Sequence, residues 1–208
     1  MNTRPPKTPY ERWSRKLSWL LRHGAADEGL AMDTAGWAAI ADVRALLRIN
    51  DTQLEGAIRH NDKNRIEVDG DRIRACQGHS LETMPVTREA LEASWRRWEG
   101  TDLVWHGTRF SGVEGIVGEG IHAGRRSHVH LAASLDSIVG KRSNTPVMLG
   151  VDPERLANAG IGLYVSPNGV MLCRHVPTDA IVSLVPKSKR SRAEAPRLRQ
   201  LLGIAADA

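Results

Sequence analysis

The chain of 208 residues is 41% hydrophobic and 25% charged, enough apolar material for one large or two small packed domains. Lysine and arginine number 29 against 24 acids, a formal charge of +5, which favours a polyanionic partner. The two cysteines, Cys76 and Cys173, stand far apart, so neither a disulfide framework nor a thiolate zinc site is indicated and a reducing cytoplasm fits. No apolar run approaches the roughly 20 residues of a membrane span, and Met1 to Pro9 has no apolar core of signal-peptide length; a soluble, unexported protein is expected.

Tyr10 to His23 carries Trp13, Leu17, Leu20 and Leu21 at helical spacing, with Gly24 as its stop. A second helix follows Gly36-Trp37 with Ile40, Val43, Leu46 and Leu47 on one stripe, and Asp51 is placed to cap a third containing Leu54, Ala57 and Ile58. From Arg65 to Ala75 the pattern reads strand, Asp69-Gly70 turn, strand, a two-residue hairpin. Helices followed by a hairpin describe a winged-helix lobe over residues 1–80, an architecture common among nucleic-acid binders, although a fold alone assigns no role.

Residues 81–100 read as a linker whose helix, Arg88 to Glu99, carries Leu91, Trp95 and Trp98. Residues 101–186 then alternate strands at 102–105, 128–131, 146–151, 162–165, 169–173 and 180–184 with helices at 110–118 and 134–141. That is a mixed α/β lobe and makes the chain α+β. Residues 187–208 form a basic tail with Lys187, Lys189, Arg190, Arg192, Arg197 and Arg199, read as a solvated terminus. Trp13, Trp19, Trp37, Trp95, Trp98 and Trp105 fall on apolar stripes and read as core.

Several short strings stand out in order along both halves: Leu17-Ser-Trp-Leu-Leu-Arg-His23, Gly29-Leu30, Asp33-Thr-Ala-Gly-Trp37, Asp62-Lys-Asn-Arg65, Ile73-Arg-Ala-Cys-Gln-Gly-His-Ser80, His106-Gly-Thr108, His128-Val-His-Leu131 and Asn168-Gly-Val170. Each alone is weak, but the ordered set resembles the NAD-dependent RNA 2′-phosphotransferases from about residue 10 to residue 185. The resemblance implies a C-terminal lobe of the ADP-ribosyltransferase type, NAD as co-substrate, and an RNA bearing an internal 2′-phosphate, such as a tRNA splice junction. A cytoplasmic monomer is expected.

The reaction so implied has two steps. The RNA phosphate attacks C1″ of the NAD ribose and expels nicotinamide; the ribose O2″ then attacks phosphorus, releasing RNA with a 2′-hydroxyl and ADP-ribose 1″,2″-cyclic phosphate. The family's Arg-His-Arg-Arg tetrad maps by motif to Arg22, His23, Arg65 and Arg126, with adjacent Arg125 the other candidate for the last place. His106, Gly107, Thr108, His130, Asn168 and Val170 map to the NAD-binding positions.

These residue types suit the chemistry. Guanidinium forks bind phosphate oxygens through paired, charge-assisted hydrogen bonds that fix direction as well as charge. Holding that phosphate in line with C1″ makes the first attack intramolecular in effect, and cations preorganised around phosphorus stabilise the charge that builds in the second. Where many ADP-ribosyltransferases carry a glutamate to activate the acceptor, this chain has the apolar Val170, as suits an acceptor already ionised.

Each residue also has a plainer reading: cations at a helix end for Arg22-His23, an edge residue for Arg65, a solvated loop for Arg125-Arg126, a strand-ending turn for His106-Gly-Thr108, core for Val170. His128 and His130, two apart on a strand, share a face and with His106 or His122 resemble a metal set, but no carboxylate or cysteine stands at ligand spacing, so no metal is expected. Two departures from the family pattern are Cys76 in place of asparagine and Ala132 in place of serine. Competing readings are an ADP-ribosyltransferase that caps nucleic-acid phosphate ends and a non-catalytic winged-helix binding protein.

Overall fold

The computed structural model describes residues 8–61, 63–141 and 145–204 and divides the chain into two compact units, Met1–Ser94 and Trp95–Ala208. In the first, α1 (Pro9–Trp19) opens with a capping box: Thr8 accepts from the Glu11 amide while the Glu11 carboxylate accepts from the Thr8 amide. The helix runs on without a break into a π-helical turn, Leu20–Gly24, so Gly24 is not the stop expected of it. The stop is Gly29, at φ +68°, where Leu30 N–H reaches back to Ala25 and Gly29 N–H to Ala26, the two bonds of a Schellman cap.

Helix α2 (Ile40–Leu47) ends in the same geometry with Arg48 in the left-handed region. Helix α3 (Asp51–Arg59) is capped by Asn50, paired reciprocally with Gln53, rather than by Asp51. Asp51 sits in the first turn and pairs with Arg44 at 2.6 Å. Leu17, Leu21, Val43, Leu54 and Ala57 are buried in this unit.

Strands β1 (Ala38–Ala39), β2 (Ile66–Asp69) and β3 (Arg72–Ala75) form an antiparallel sheet in the order β1-β3-β2. Asp69 pairs with Arg72, so the two-residue loop is Gly70-Asp71, one place later than the sequence reading. The positive φ of +59° falls on Gly70, the residue able to adopt it without strain. Helix α4 (Arg88–Ser94) is shorter than the helix expected to reach Glu99.

The chain beyond it opens the second unit with β4 (Arg96–Arg97). A central ladder there has β5 (Val104–Thr108) against β8 (Val147–Val151), and β8 against β12 (Ile181–Pro186). A second sheet runs β4-β9-β10-β7, with β7 Val129–Leu131, β9 Tyr164–Val165 and β10 Met171–Cys173. Trp105 and Ala132 exchange backbone hydrogen bonds at 2.8 Å and join β5 to the end of β7. A short pair, β6 (Ile121–His122) with β11 (His175–Val176), completes the strands.

Helices α5 (Phe110–Glu119), α6 (Pro153–Asn158) and α7 (Lys189–Leu202) complete the unit. Its core gathers Val113, Leu131, Leu149, Leu156, Leu184 and Leu198. Every residue of β8 is buried, which is why it reads as a continuous apolar run.

Two sequence expectations fail here. No helix forms over 134–141: Ser137 Oγ accepts from the Ser134 amide, Gly140 turns at φ +77° against the Leu131 carbonyl, and Ile138 is 76% exposed. Local side-chain bonds of this kind compete with a helix. The basic segment read as a solvated tail is instead α7, whose Ser191, Ala195, Leu198 and Leu202 are buried while Lys189, Arg190, Arg192 and Arg197 are exposed and Arg199, half-buried, donates to the Leu184 carbonyl. The cationic composition concealed an apolar stripe at helical spacing.

Leu198 is 1% exposed and packs within the unit's core. Leu198→Ala is expected to lower the unfolding free energy by about 2–5 kcal/mol, as measured by chemical denaturation; a change within error would return the segment to a surface appendage.

Candidate functional site

Arg22 and His23 lie on the π-helical turn, both half-buried. Turns of this type are rare and occur mostly as single insertions in α-helices, frequently at functional sites. The stretch 76–80 runs alongside and holds them: Arg22 Nε donates to the Gly78 carbonyl at 3.3 Å, the Ser80 amide donates to the Arg22 carbonyl at 2.9 Å, and His23 Nδ1 lies 2.8 Å from Ser80 Oγ. Gly78 has φ +89°, and a Cβ there would collide with the Arg22 guanidinium. Only glycine combines that backbone with that clearance.

Arg65 is tied to the same stretch. Its carbonyl accepts from the Cys76 amide at 2.8 Å, and its own amide donates to Asn61 Oδ1 at 2.8 Å. Asn61, buried, donates through Nδ2 to Ser14 Oγ and Ser18 Oγ of α1, so the start of β2 is fixed to the helix that leads into Arg22-His23. Residues 76–80 thus connect Arg65, Arg22 and His23. Of the sequence string Asp62-Lys-Asn-Arg65, Asp62 lies outside the described residues. Cys76, one of the two departures, points its thiol at the Asn64 carbonyl, 3.4 Å away.

In the second unit, His106 lies on β5 and His130 on β7, and His106 Nδ1 approaches the His130 carbonyl at 3.3 Å. Arg126 Nη1 is 3.4 Å from His130 Nδ1. Arg125 and Arg126 are exposed. Gly107 has a reason within the fold itself, since a Cβ would come 2.8 Å from Thr145 Oγ1. Thr108 ends β5, and its hydroxyl donates to the Arg109 carbonyl at 3.4 Å.

Asn168 and Val170 belong to a three-residue hairpin loop. Ser166 N–H donates to the Val170 carbonyl, Gly169 N–H to the Ser166 carbonyl, and Gly169 takes φ +79°, the arrangement of a type I turn followed by a left-handed residue. Ser166 Oγ lies 2.9 Å from Asn168 Oδ1 and accepts from Val170 N–H at 3.2 Å. Asn168 is half-buried at the turn; Val170 is buried, its side chain part of the interior.

The histidine pair separates. Strand β7 begins at Val129, and His128 before it is fully buried, edge-on to Trp95 with ring centres 4.9 Å apart, so it does not share a strand face with His130. His122 stacks with His175 at 6.3 Å. Among the described residues no group of three or more His, Cys, Asp or Glu gathers at metal-binding spacing. Ala132, the other departure, is fully buried and serves the backbone bridge to Trp105.

Sequence reasoning missed three positioning residues. Gly78 and Ser80 stood inside a quoted string without a role, whereas Asn61 carried no signal, because a lone buried amide is legible only once its partners are known. Trp19, read as core, is 45% exposed and folds its ring over Gly24.

Residues 8–175 match the profile of the RNA 2′-phosphotransferase, Tpt1 / KptA family, and the chain belongs to that family. It is 36% identical over 191 residues to a probable RNA 2′-phosphotransferase of Burkholderia lata, covering 86% of this chain and 95% of the relative. Proteins of the same description from Pseudomonas syringae pv. tomato and Agrobacterium fabrum are each 35% identical, over 175 and 173 residues, covering 80% and 79% of this chain and 90% and 89% of theirs. No helix among the described residues is long and apolar enough to cross a membrane.

Gly70 and Gly78 both take positive φ, but space is open at Gly70 and filled by Arg22 at Gly78. Gly70→Ala is expected to destabilise by about 1 kcal/mol through backbone strain alone, and Gly78→Ala by clearly more; equal losses in denaturation would show that the guanidinium is not held there. Burial pushes the Cys173 thiol up from 9.0 to about 12. The proton is therefore retained in the folded state, so the stabilisation present below pH 9 is lost as pH rises towards 12. At pH 8 Cys173 is expected to resist alkylation in the native protein and react after denaturation, as followed by mass spectrometry; native labelling would contradict its burial.

Proposed function

We propose that the protein removes an internal 2′-phosphate from RNA at the expense of NAD, in two steps through an ADP-ribosylated RNA phosphate, yielding RNA with a 2′-hydroxyl, nicotinamide and ADP-ribose 1″,2″-cyclic phosphate. On this reading the first unit is a winged-helix RNA-binding lobe and the second an ADP-ribosyltransferase-like lobe that binds NAD. The relatives named above are described as RNA 2′-phosphotransferases, which supports the phosphate and the polymer. The observation that carries the reading is the stretch 76–80, to which Arg65, Arg22 and His23 are all bound.

Phosphate recognition needs several donors held in fixed relative positions before the ligand arrives, because reorganising them during reaction would cost the advantage. Arg22 is held through Nε and through its backbone, which fixes the direction of its guanidinium for phosphate. His23 is oriented by Ser80 to act on a phosphate oxygen or on a proton in transit. Arg65 and Arg126 act on the charge at phosphorus in the second step.

NAD fits the polar groups of the second unit: two half-buried imidazoles, the side-chain-free backbone of β5 at Gly107, which is strand and not the turn expected from sequence, and the Asn168 amide on its hairpin. What NAD supplies when bound is an anomeric carbon with nicotinamide as its leaving group. His130, which has Arg126 on one ring nitrogen, would lie beside the nicotinamide, and His106 and Thr108 would help hold the ribose.

The bonds balance without a water nucleophile. A phosphate oxygen joins C1″ as the nicotinamide bond breaks; O2″ then joins phosphorus as the bond to the RNA O2′ breaks, and the 2″ proton ends on the RNA hydroxyl. Capping of phosphate ends would use the first step alone, so persistence of the adduct distinguishes it from phosphate removal.

A 2′-phosphorylated oligoribonucleotide incubated with and without NAD tests the reading directly. Release of nicotinamide together with loss of the phosphate only when NAD is present is the expected result, and phosphate loss without NAD contradicts it. Arg65→Ala or Arg126→Ala should slow the second step by about a hundredfold, more than the first, so that ADP-ribosylated RNA accumulates on gel analysis; equal loss of both steps would remove that assignment.

A further inference from the structure

The register of the central ladder places one group of cations beside the Gly107-Thr108 end of β5. Thr108 pairs with Val147 and Val147 with Pro186, so β5, β8 and β12 end in one row, and just beyond it Lys187 N–H donates to the Pro146 carbonyl at 2.8 Å. The chain then enters α7 through its Ser188 cap, bringing Lys187, Lys189 and Arg190 to the end of the sheet that carries Thr108. Arg109, the next residue after Thr108, caps α5, and Arg190 lies 5.3 Å above the ring of Phe110 in the first turn of that helix. Arg192 follows on α7. All five cations are exposed.

Some cations of this chain are neutralised locally. Arg44, Arg72, Arg74, Arg155 and Arg197 each meet a carboxylate, Arg197 on the same helix meeting both Glu114 and Glu194. No acid among the described residues pairs with Arg109, Lys187, Lys189, Arg190 or Arg192. The first turn of α7 contains no acidic residue. Like charges gathered on one surface repel at short range, and an external polyanion relieves that repulsion while releasing its own counterions.

We infer that Arg109, Lys187, Lys189, Arg190 and Arg192 form a contact surface for the backbone phosphates of an RNA strand flanking the 2′-phosphate. The inference rests on the proposed reading that RNA is the substrate. A dinucleotide offers a single pyrophosphate, too compact for five long side chains spread over three segments. A polynucleotide offers phosphates in series, which such a surface meets one by one, without base readout. The surface therefore adds affinity for longer RNA and leaves the short reacting segment to the other residues.

The experiment compares the full chain with its Lys189→Ala/Arg192→Ala double variant in binding an RNA that has several phosphates on each side of one 2′-phosphate. Fluorescence anisotropy is followed over a salt series. The plot of log affinity against log salt is expected to become shallower by about 1–2 for the pair, with affinity for a 2′-phosphorylated dinucleotide unchanged. Arg197→Ala, on the same helix but already paired, should leave the slope as it was. An unchanged slope in the double variant, or equal weakening toward the dinucleotide, overturns the inference. Nicotinamide release by the parent protein is measured alongside: its absence overturns the phosphotransferase reading, whereas the salt slope reports the binding surface alone.

Discussion

The close approach of residue 78's backbone to the Arg22 guanidinium is the constraint on which the first unit's candidate site depends. The guanidinium fills the space that a Cβ would take, and the carbonyl of the same residue receives its Nε hydrogen. With that contact made, two residues on, the Ser80 amide and hydroxyl meet the backbone of Arg22 and the ring of His23. Two residues back, the Cys76 amide meets Arg65. A left-handed backbone at one position thus links Arg22, His23 and the backbone of Arg65 through one short stretch.

The second unit reaches comparable order by register rather than by a single turn. Trp105 and Ala132 lock β5 to the end of β7, which brings the His106 ring to the His130 carbonyl; Arg126, four residues before His130, then reaches that imidazole. A slip of one residue in the β5–β8 pairing would exchange the faces of Trp105 and His106 and carry the Gly107-Thr108 end of β5 out of line with its partners Met148 and Val147. The fully buried β8 opposes such a slip, because its whole apolar run is committed to the core.

Much of this was legible in the sequence, and the exceptions share physical causes. Periodicity located α1, α2, α3, α5 and the strands of the central ladder, since each presents an apolar face to a core. It failed at 134–141, where apolar residues stand among serines that bond locally, and at α7, where cations masked a stripe of Ala195, Leu198 and Leu202. Caps were misread by one residue at Asn50 and at Gly70, because Asp51 and Asp69 are equally good local candidates until the pairing is known. The family resemblance named Arg22, His23, Arg65 and Arg126. What lay beyond sequence was the hardware that aims them, above all Asn61, whose partners stand in another helix and at the head of a strand.

The chain therefore carries two kinds of cation, distinguished by how much freedom they keep. Arg22 is half-buried and bound through both side chain and backbone, so its conformational entropy is already spent when a phosphate arrives, as preorganised catalysis requires. Lys187, Lys189 and Arg192 are exposed and keep their rotamers; ordering them costs up to about 2 kcal/mol each, which discards most of what a single fixed contact would give. Mobile cations of that kind contribute through the field they generate together, which needs no fixed geometry and tolerates any base sequence. On the proposed reading, the held set would select the branch phosphate and the exposed set would keep the strand in place.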